Sequence, residues 1–329
     1  MSADEFDIIR TLFAPLAGAG ARGLVDDAAL LGDLIVTTDA IVEGVHFLPA
    51  DPIDAIAKKA LRVNLSDIAA KGAKPIGVLL TLIWPKHRDA AEIVTFARGL
   101  GEDLRAFDVP LLGGDTTSSP GPLTISITAF GAPLGARTPS RADAKPGEQV
   151  WVTGTIGDAF LGLKSLTETP DIIGAGVDAR TDAHARAVRD AYRTPSPPLA
   201  FASAISKHAS ASMDVSDGLV IDAAKLAQAS NVAIRIDAEA IPLSAAGHAY
   251  LAKHGDAGLA DLITGGDDYQ ALFTAAPEAR GAIMQAGRES GTNVALIGDV
   301  SEGGGVRVVG AGGVELSIAH AGHSHKLGR

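Results

Sequence analysis

The chain has 329 residues, 47% of them hydrophobic, enough for two domains of roughly 100–200 residues each with full cores. Its 39 acidic against 28 basic residues leave a net charge of -11 with no Lys/Arg-rich block, which argues against a nucleic-acid partner but not against phosphate ligands, because a bound cation inverts the local charge logic. The absence of cysteine excludes disulfides, thiolate metal sites and a cysteine nucleophile; an acidic first segment and the lack of any apolar run near ~18 residues make a cytoplasmic protein without a membrane span the expectation.

In chain order, β-branched apolar runs alternate with Ala/Leu-rich stretches, the pattern of an α/β or α+β protein. A strand is predicted at 34–38, then a helix at 54–71 that Gly72 and Pro75 terminate. A strand at 77–83, a helix at 90–107, a strand running into Gly113-Gly114-Asp115 and a strand at 123–131 follow. The polar, proline-containing stretch 137–148 reads as a linker, dividing the chain into a domain of residues 1–137 and one of 138–329. Beyond it, a strand at 149–153, helices at 182–192, 199–208 and 218–230, strands at 232–236 and 269–274, a helix at 277–290 and strands at 294–297 and 306–309 are expected. The Gly-rich stretch 303–313 reads as a hairpin region.

Acidic residues recur at the ends of these elements. Strand 34–38 runs into Thr37, Thr38 and Asp39, hydroxyls and a carboxylate at a strand end, where α/β folds place ligand chemistry; taken by themselves they read more simply as an Asx turn. Upstream, Asp26 and Asp27 are adjacent, and neighbours rarely share a face, so only one is expected to reach a common site. On helix 54–71, counting back from Asp67 by four, seven and eleven gives Val63, Ala60 and Ile56. This acid therefore lies on the apolar stripe and needs a partner, unless it forms an exposed ion pair with Lys71 at i+4.

In "SMDVSDGLVID", Ser216 or Asp217 can cap the helix that follows, but capping leaves Asp214 unexplained. Two acids at i and i+3, beside the N–H groups of a helix N-terminus, suit a cation and a phosphate together. "LLGGDTT" at 111–117 makes a similar offer, with glycines that allow close backbone approach. Neither GxxxxGK[ST] nor a strand-linked GxGxxG is present, so phosphates would bind through metal. Like charges ~4 Å apart repel by about 4 kcal/mol at an effective dielectric of 20, and Mg²⁺ is the usual remedy for carboxylates facing phosphates.

Taken in order, "EFDIIR", "VDDAALL", "TTDAIVEGVHF", "KALRVNLSDIAAKGAKP", "LLGGDTT", "SRADAKPGEQVWVTGTIGDA", "MDVSDGLVIDAAKLAQAS" and "TGGDDYQALF" resemble the thiamine-monophosphate kinases, a family of the aminoimidazole-ribotide synthetase superfamily, from Glu5 to about Phe273. The resemblance implies ATP-dependent phosphorylation of thiamine monophosphate to thiamine diphosphate, with several Mg²⁺ between the substrates. It implies a homodimer in which N-terminal sheet domains pair, each followed by a larger α/β domain, with ATP at the junction. By motif position, Asp27, Thr38, Asp39, Asp67, Asp115, Asp214 and Asp217 fall at metal-ligand places. Thr37, Gly114, Asp115, Arg141 and Ser216 fall at nucleotide contacts, and His46 and Asp267 line the thiamine phosphate site.

The acceptor phosphate, with a second pKa near 6, is already anionic at neutral pH and needs no general base. Direct in-line transfer is expected, with Arg141 stabilising charge and the acids acting as ligands. Three departures stand out. The family's glycine before the acids is replaced in Leu24-Val25-Asp26-Asp27. GGED becomes GGDD, so that Asp267 is a methylene shorter, and His323 occupies the place of a C-terminal aromatic, in a segment that reads otherwise as a solvated tail. Cysteine-dependent members of the superfamily are disfavoured by the composition. An aminoimidazole-ribotide synthetase-like cycloligase and a nucleotide- and Mg²⁺-binding paralogue with little catalysis are the alternatives.

Overall fold

The computed structural model describes residues 3–168, 183–318, 322 and 326–327. Strand β1 (Ala3–Asp4) and helix α1 (Glu5–Ile8) lead through π and 3₁₀ turns into a hairpin of β2 (Ala29–Leu31) and β3 (Leu34–Val42). Helix α2 (Ile53–Ala70), β4 (Ala73–Pro85), α3 (Ala91–Ala106), β5 (Leu111–Ser119) and β6 (Thr124–Pro133) follow. Five of these strands form a sheet in the order β2-β3-β6-β4-β5. Its pairs are antiparallel except β4–β5, which α3 joins as a crossover. The inward residues of α3, Phe96, Gly99, Leu100 and Asp103, recur at i, i+3, i+4 and i+7, one stripe of a helix lying on a sheet.

Helix α2 differs: almost every position from Ile56 onward is buried, Lys59, Asn64, Ser66 and Asp67 included. A helix buried all round has neighbours on every side. One side of α2 packs on β3, β4 and β6, and the other meets strands of a second sheet, β8 and β10. It ends at Lys71, where Gly72 takes the left-handed conformation (φ 65°), as its sequence signal anticipates.

The second unit comprises β7 (Gln149–Thr153), α4 (Asp158–Thr167), α5 (Ala183–Arg193), α6 (Ala202–His208), β8 (Ser212–Val215), α7 (Leu219–Ser230), β9 (Ala233–Asp237), α8 (Ala245–Thr264), β10 (Gln270–Ala275), α9 (Arg280–Ser290), β11 (Val294–Ser301) and β12 (Gly305–Val309). Its sheet has the order β12-β9-β11-β7-β10-β8. Alternation along β7 feeds two cores: Val150 and Val152 face α7, whereas Trp151 stacks on Phe273 at 6.3 Å between ring centres, beside Phe201. A short ladder pairs β1 with β13 (Lys326–Leu327).

Several sequence expectations change. The stretch 303–313 does not fold back on β11: β12 pairs in parallel with β9, which lies between the two. Helix α8 carries no simple periodic signal because Gly255, at φ 58°, kinks it. The predicted helix 199–208 divides into a 3₁₀ turn at Leu199–Phe201 and α6. No helix among the described residues is long and apolar enough to cross a membrane.

Strand β5 closes one edge of the first sheet with residues 111–118 all exposed. Leu111 and Leu112 on this strand and Ile76 and Leu79 beside it are each 37–60% exposed. Gly114, at φ 150°, runs so close to β4 that a Cβ there would lie 1.8 Å from the Leu80 carbonyl oxygen. Gly114→Ala should therefore destabilise the fold by about 2 kcal/mol or more, seen as a lower denaturant midpoint at unchanged slope.

Candidate active site

Four separated parts of the chain bring aspartates into one cleft between the sheets. Asp27 follows a run of left-handed residues, Arg22, Gly23 and Leu24 (φ 50°, 69° and 57°), which makes the turn without a glycine next to the acids. Asp39 extends from β3, Asp67 from α2, and Asp214 and Asp217 from β8 and the turn after it. One carboxylate oxygen each from Asp27, Asp67 and Asp214 lies within 4.8 Å of the others. All five acids line a cavity of about 820 Å³ together with Arg141, His46, Ser216, Asp267 and Tyr269.

Buried polar groups hold these acids in place. The Thr37 hydroxyl lies 2.5 Å from Asp67 Oδ2 and 3.0 Å from the Asp27 carbonyl oxygen, and its single proton can go to one of them at a time. Asn64, fully buried, accepts the Asp39 N–H at 2.9 Å and donates to the Ala60 carbonyl. Asp222 accepts the N–H groups of Ser216, Asp217 and Gly218 at 3.0, 3.0 and 3.1 Å, and Lys225 bridges it to Asp217. Arg141 reaches Asp27 Oδ1 through Nε at 2.8 Å and through Nη2, while Ser230 donates to the Arg141 carbonyl and ties that turn to α7. At the far end, Lys59 donates to Asp267 Oδ2 at 2.8 Å and to the His46 carbonyl at 2.9 Å, and lies 4.1 Å from the centre of the Tyr192 ring.

The electrostatics follow from burial and neighbours. Burial, then Asp27 and Asp217, push Asp39 up to about 6. Burial, then Asp214, Asp39 and Asp27, hold Asp67 well above the usual aspartate range; burial, Asp27 and Asp222 do the same for Asp214. Burial would also raise Asp26, but Lys71 and Arg22 hold it down at about 2. Acids that resist ionisation until a cation arrives are suited to metal binding. One oxygen, Asp27 Oδ2, is buried and accepts no hydrogen bond.

Two family models match the chain: AIR synthase related protein, N-terminal domain, over residues 25–132, and its C-terminal domain over residues 145–311. A thiamine-monophosphate kinase of Caulobacter vibrioides is 43% identical over 312 residues, 92% of this chain and 85% of that one. The Escherichia coli K12 thiamine-monophosphate kinase is 36% identical over 313 residues, 92% of this chain and 91% of that one. The chain belongs to the thiamine-monophosphate kinase family. A solved structure of "AaThiL complexed with AMPPCP and TMP" superposes with a TM-score of 0.81 at 31% identity, covering 98% of this chain and 97% of that one.

Within this family fold, the expected site residues divide into three groups. Asp27, Asp39, Asp67, Asp214, Asp217, Arg141, Ser216, His46 and Asp267 all face the cleft. Thr37 does not: it is buried behind Asp67 and serves as that acid's hydrogen-bond partner. Thr38 points to the opposite face of β3, toward the Ile127 carbonyl and Thr128. Gly114 and Asp115 also lie apart. Asp39 stands opposite Ile127, Ile127 opposite Leu80 and Leu80 beside Gly114, so three strand spacings, roughly 14 Å, intervene. His323 falls outside the described residues, as does His325.

Three local expectations are corrected. Asp67 and Lys71 do not form an exposed pair: both are buried, and Lys71 turns to Asp26 and Asp27. The adjacent Asp26 and Asp27 do share a partner, because they sit in an irregular turn rather than a strand. Neither Ser216 nor Asp217 caps α7; Gly218 is the N-cap, without a side-chain bond, and Asp222 reaches back to take the N–H groups that a phosphate would have used. Sequence reasoning missed Lys59, Asn64, Lys71, Asp222 and Lys225. Three carried a signal: Lys59 and Lys71 continue the i+4 series of Val63 and Asp67, and Asn64 stands three residues before Asp67; Asp222 and Lys225 carried none.

Between the usual aspartate range and about pH 6, and higher for Asp67 and Asp214, the folded metal-free chain binds more protons than the unfolded one. Its stability should therefore fall as pH rises through that window, with Asp39 alone accounting for on the order of 3 kcal/mol. Asp26, shifted the other way, loses its stabilisation only as pH drops toward about 2. Thermal melts between about pH 4.5 and 7.5 in chelator should show the fall, and saturating Mg²⁺ should flatten it.

Proposed function

We propose that the protein transfers the terminal phosphoryl group of ATP to the phosphate of thiamine monophosphate, giving thiamine diphosphate and ADP, in the cleft between its two sheets. The observation that carries this is the buried trio Asp27, Asp67 and Asp214, with ligand oxygens within 4.8 Å of one another, in a chain 43% identical to a thiamine-monophosphate kinase. The donor set is all oxygen, and among the described residues no ion pair reaches Asp67 or Asp214, which fits Mg²⁺. Asp27, Asp67 and Asp214 would hold it, with Asp39 and Asp217 flanking. When bound, Mg²⁺ neutralises phosphate charge and lets two polyanions approach.

The chain's own residues do the rest. Asp222 consumes the N–H groups of the 216–218 turn, so the helix end offers phosphate no direct seat. Arg141, held by Asp27 and by Ser230, brings a fixed guanidinium to the cleft, where charge on the transferred group needs stabilising. Lys59 fixes Asp267 and the His46 backbone at the end assigned to thiamine. An oxygen of the acceptor phosphate forms the new bond to phosphorus as the bond to the ADP oxygen breaks, and ADP leaves with the electron pair. No aspartate is phosphorylated, and no general base is required because the acceptor is already ionised.

In the same reading residues 1–137 supply ATP, metal and dimer contacts, residues 138–329 complete the cleft, and the enzyme works in the cytoplasm. A second copy of the chain pairs along β5, covering Leu111 and Leu112 and giving Gly114 and Asp115 a site to face. An exposed edge strand with four neighbouring apolar side chains supports this.

A coupled ADP-release assay with MgATP tests the activity. ADP release should depend on thiamine monophosphate and yield thiamine diphosphate on chromatography, with thiamine itself inert; turnover of formylglycinamidine ribotide instead, or none with any acceptor, would overturn it. Asp67→Asn should lower kcat by about 10²-fold or more with an unchanged circular dichroism spectrum, and a phosphoaspartate trapped in wild type would exclude direct transfer. Leu112→Lys should convert a dimer to a monomer in sedimentation.

A further inference from the structure

The protein's cations are unevenly shared among its acids. The Lys71 Nζ, in a side chain with no exposure, stands 2.5 Å from both Asp26 Oδ1 and Asp27 Oδ2 and donates to the Ser212 carbonyl at 2.5 Å. Arg22 holds Asp26 Oδ2 at 2.5 Å, and Arg141 holds Asp27 Oδ1. All four carboxylate oxygens of this acid pair therefore lie against a protein cation. Among the described residues, none of the ion pairs at the cleft reaches Asp39, Asp67 or Asp214. Asp27 is the group common to both halves: its carboxylate contacts Lys71 and belongs to the trio that converges with Asp67 and Asp214.

An ammonium buried without water is costly unless acids and a carbonyl surround it. At Lys71 they do, from two separate segments, and the contact to Asp27 Oδ2 is one of charge rather than an aligned hydrogen bond. A compact cation among three oxygens does the electrostatic work of a bound ion. We propose that Lys71 is a resident cation of the acid cluster, standing where a divalent ion would otherwise be required. It positions Asp27 for the metal held with Asp67 and Asp214, and leaves the chain with one divalent site fewer than its acids would demand.

This rests on the reading that the aspartates hold Mg²⁺, and the test separates the two. Mn²⁺ binding to the full-length protein is counted by electron paramagnetic resonance, and thermal melts are recorded in chelator and in Mg²⁺. Lys71→Met should bind one more Mn²⁺ per chain than wild type, melt several degrees lower in chelator, and recover most of that loss in Mg²⁺. Lys71→Arg, which keeps the charge, should retain the wild-type count. The charge-balanced double variant Lys71→Met with Asp26→Asn should fold without metal and return to the wild-type count, and it carries the test if the single variant cannot be purified. A Lys71→Met protein equally destabilised with and without Mg²⁺, at an unchanged count, would make Lys71 merely structural and overturn the proposal, as would a double variant that fails to fold. A wild-type protein that binds no Mn²⁺ would overturn the metal reading and this inference with it.

Discussion

Carboxylates packed side by side away from water repel one another, and most of this structure is arranged around that constraint. At an effective dielectric near 20, two full charges 4–5 Å apart cost roughly 3–4 kcal/mol, and Asp27, Asp67 and Asp214 come that close. The chain meets the cost in two ways. Where a Lys or Arg is at hand, as for Asp26, the acid is driven to ionise. Where none is, as for Asp67 and Asp214, burial and the neighbouring acids hold the carboxyl well above the usual aspartate range. The cleft is thus graded from a neutralised end to one that favours an incoming cation.

The helix α2 carries the gradient. Lys59 near its start, Asn64, Ser66 and Asp67 in its body and Lys71 at its end all face inward: Lys59 meets the GGDD turn, Asn64 and Asp67 meet β3 at Asp39 and Thr37, Ser66 meets Tyr269 just before β10, and Lys71 meets the acid pair. A helix that packs on two sheets has no solvent face on which to place polar residues, so those it has must be matched internally. The second sheet contributes Asp214 and the 216–218 turn, and without it Asp67 would lack its nearest acidic neighbour. The core of the first sheet includes α2 itself, and β8 and β10 of the second sheet close over its other side.

Much of this was legible beforehand. The strand at 149–153 emerges as read, and α2, α3 and α7 lie within a residue or two, because each is rich in helix formers and Gly72 and Asn231, in the left-handed conformation, close α2 and α7. Asp67 on an apolar stripe was the sharpest signal in the chain, and it does lie in the cleft. What escaped notice did so for identifiable reasons. Strand β8, a four-residue stretch, is too short for a period to show, and α8 is broken at Gly255. Lys71 looked like the i+4 partner of Asp67 because local spacing says nothing of residues forty positions upstream. The reach of Asp222 back to three N–H groups is a tertiary fact of the turn, and its six-residue distance from Ser216 matches no capping spacing.

Helix α2 also fixes how the molecule can move. A hinge between the two sheets would have to strip α2 from one of them, exposing residues such as Leu61, Leu65 and Ile68 that have no contact with water, together with a lysine at either end. Such an opening is far costlier than displacing a surface segment. The placement of the acids on either side of α2 is accordingly set when the chain folds. Admission and release are left to the rim, where Glu5, Ile9, Arg10 and Ala14 border the cavity and Leu12, Phe13 and Leu16 remain uncovered. The chemistry sits on a rigid frame, and the traffic passes over a light one.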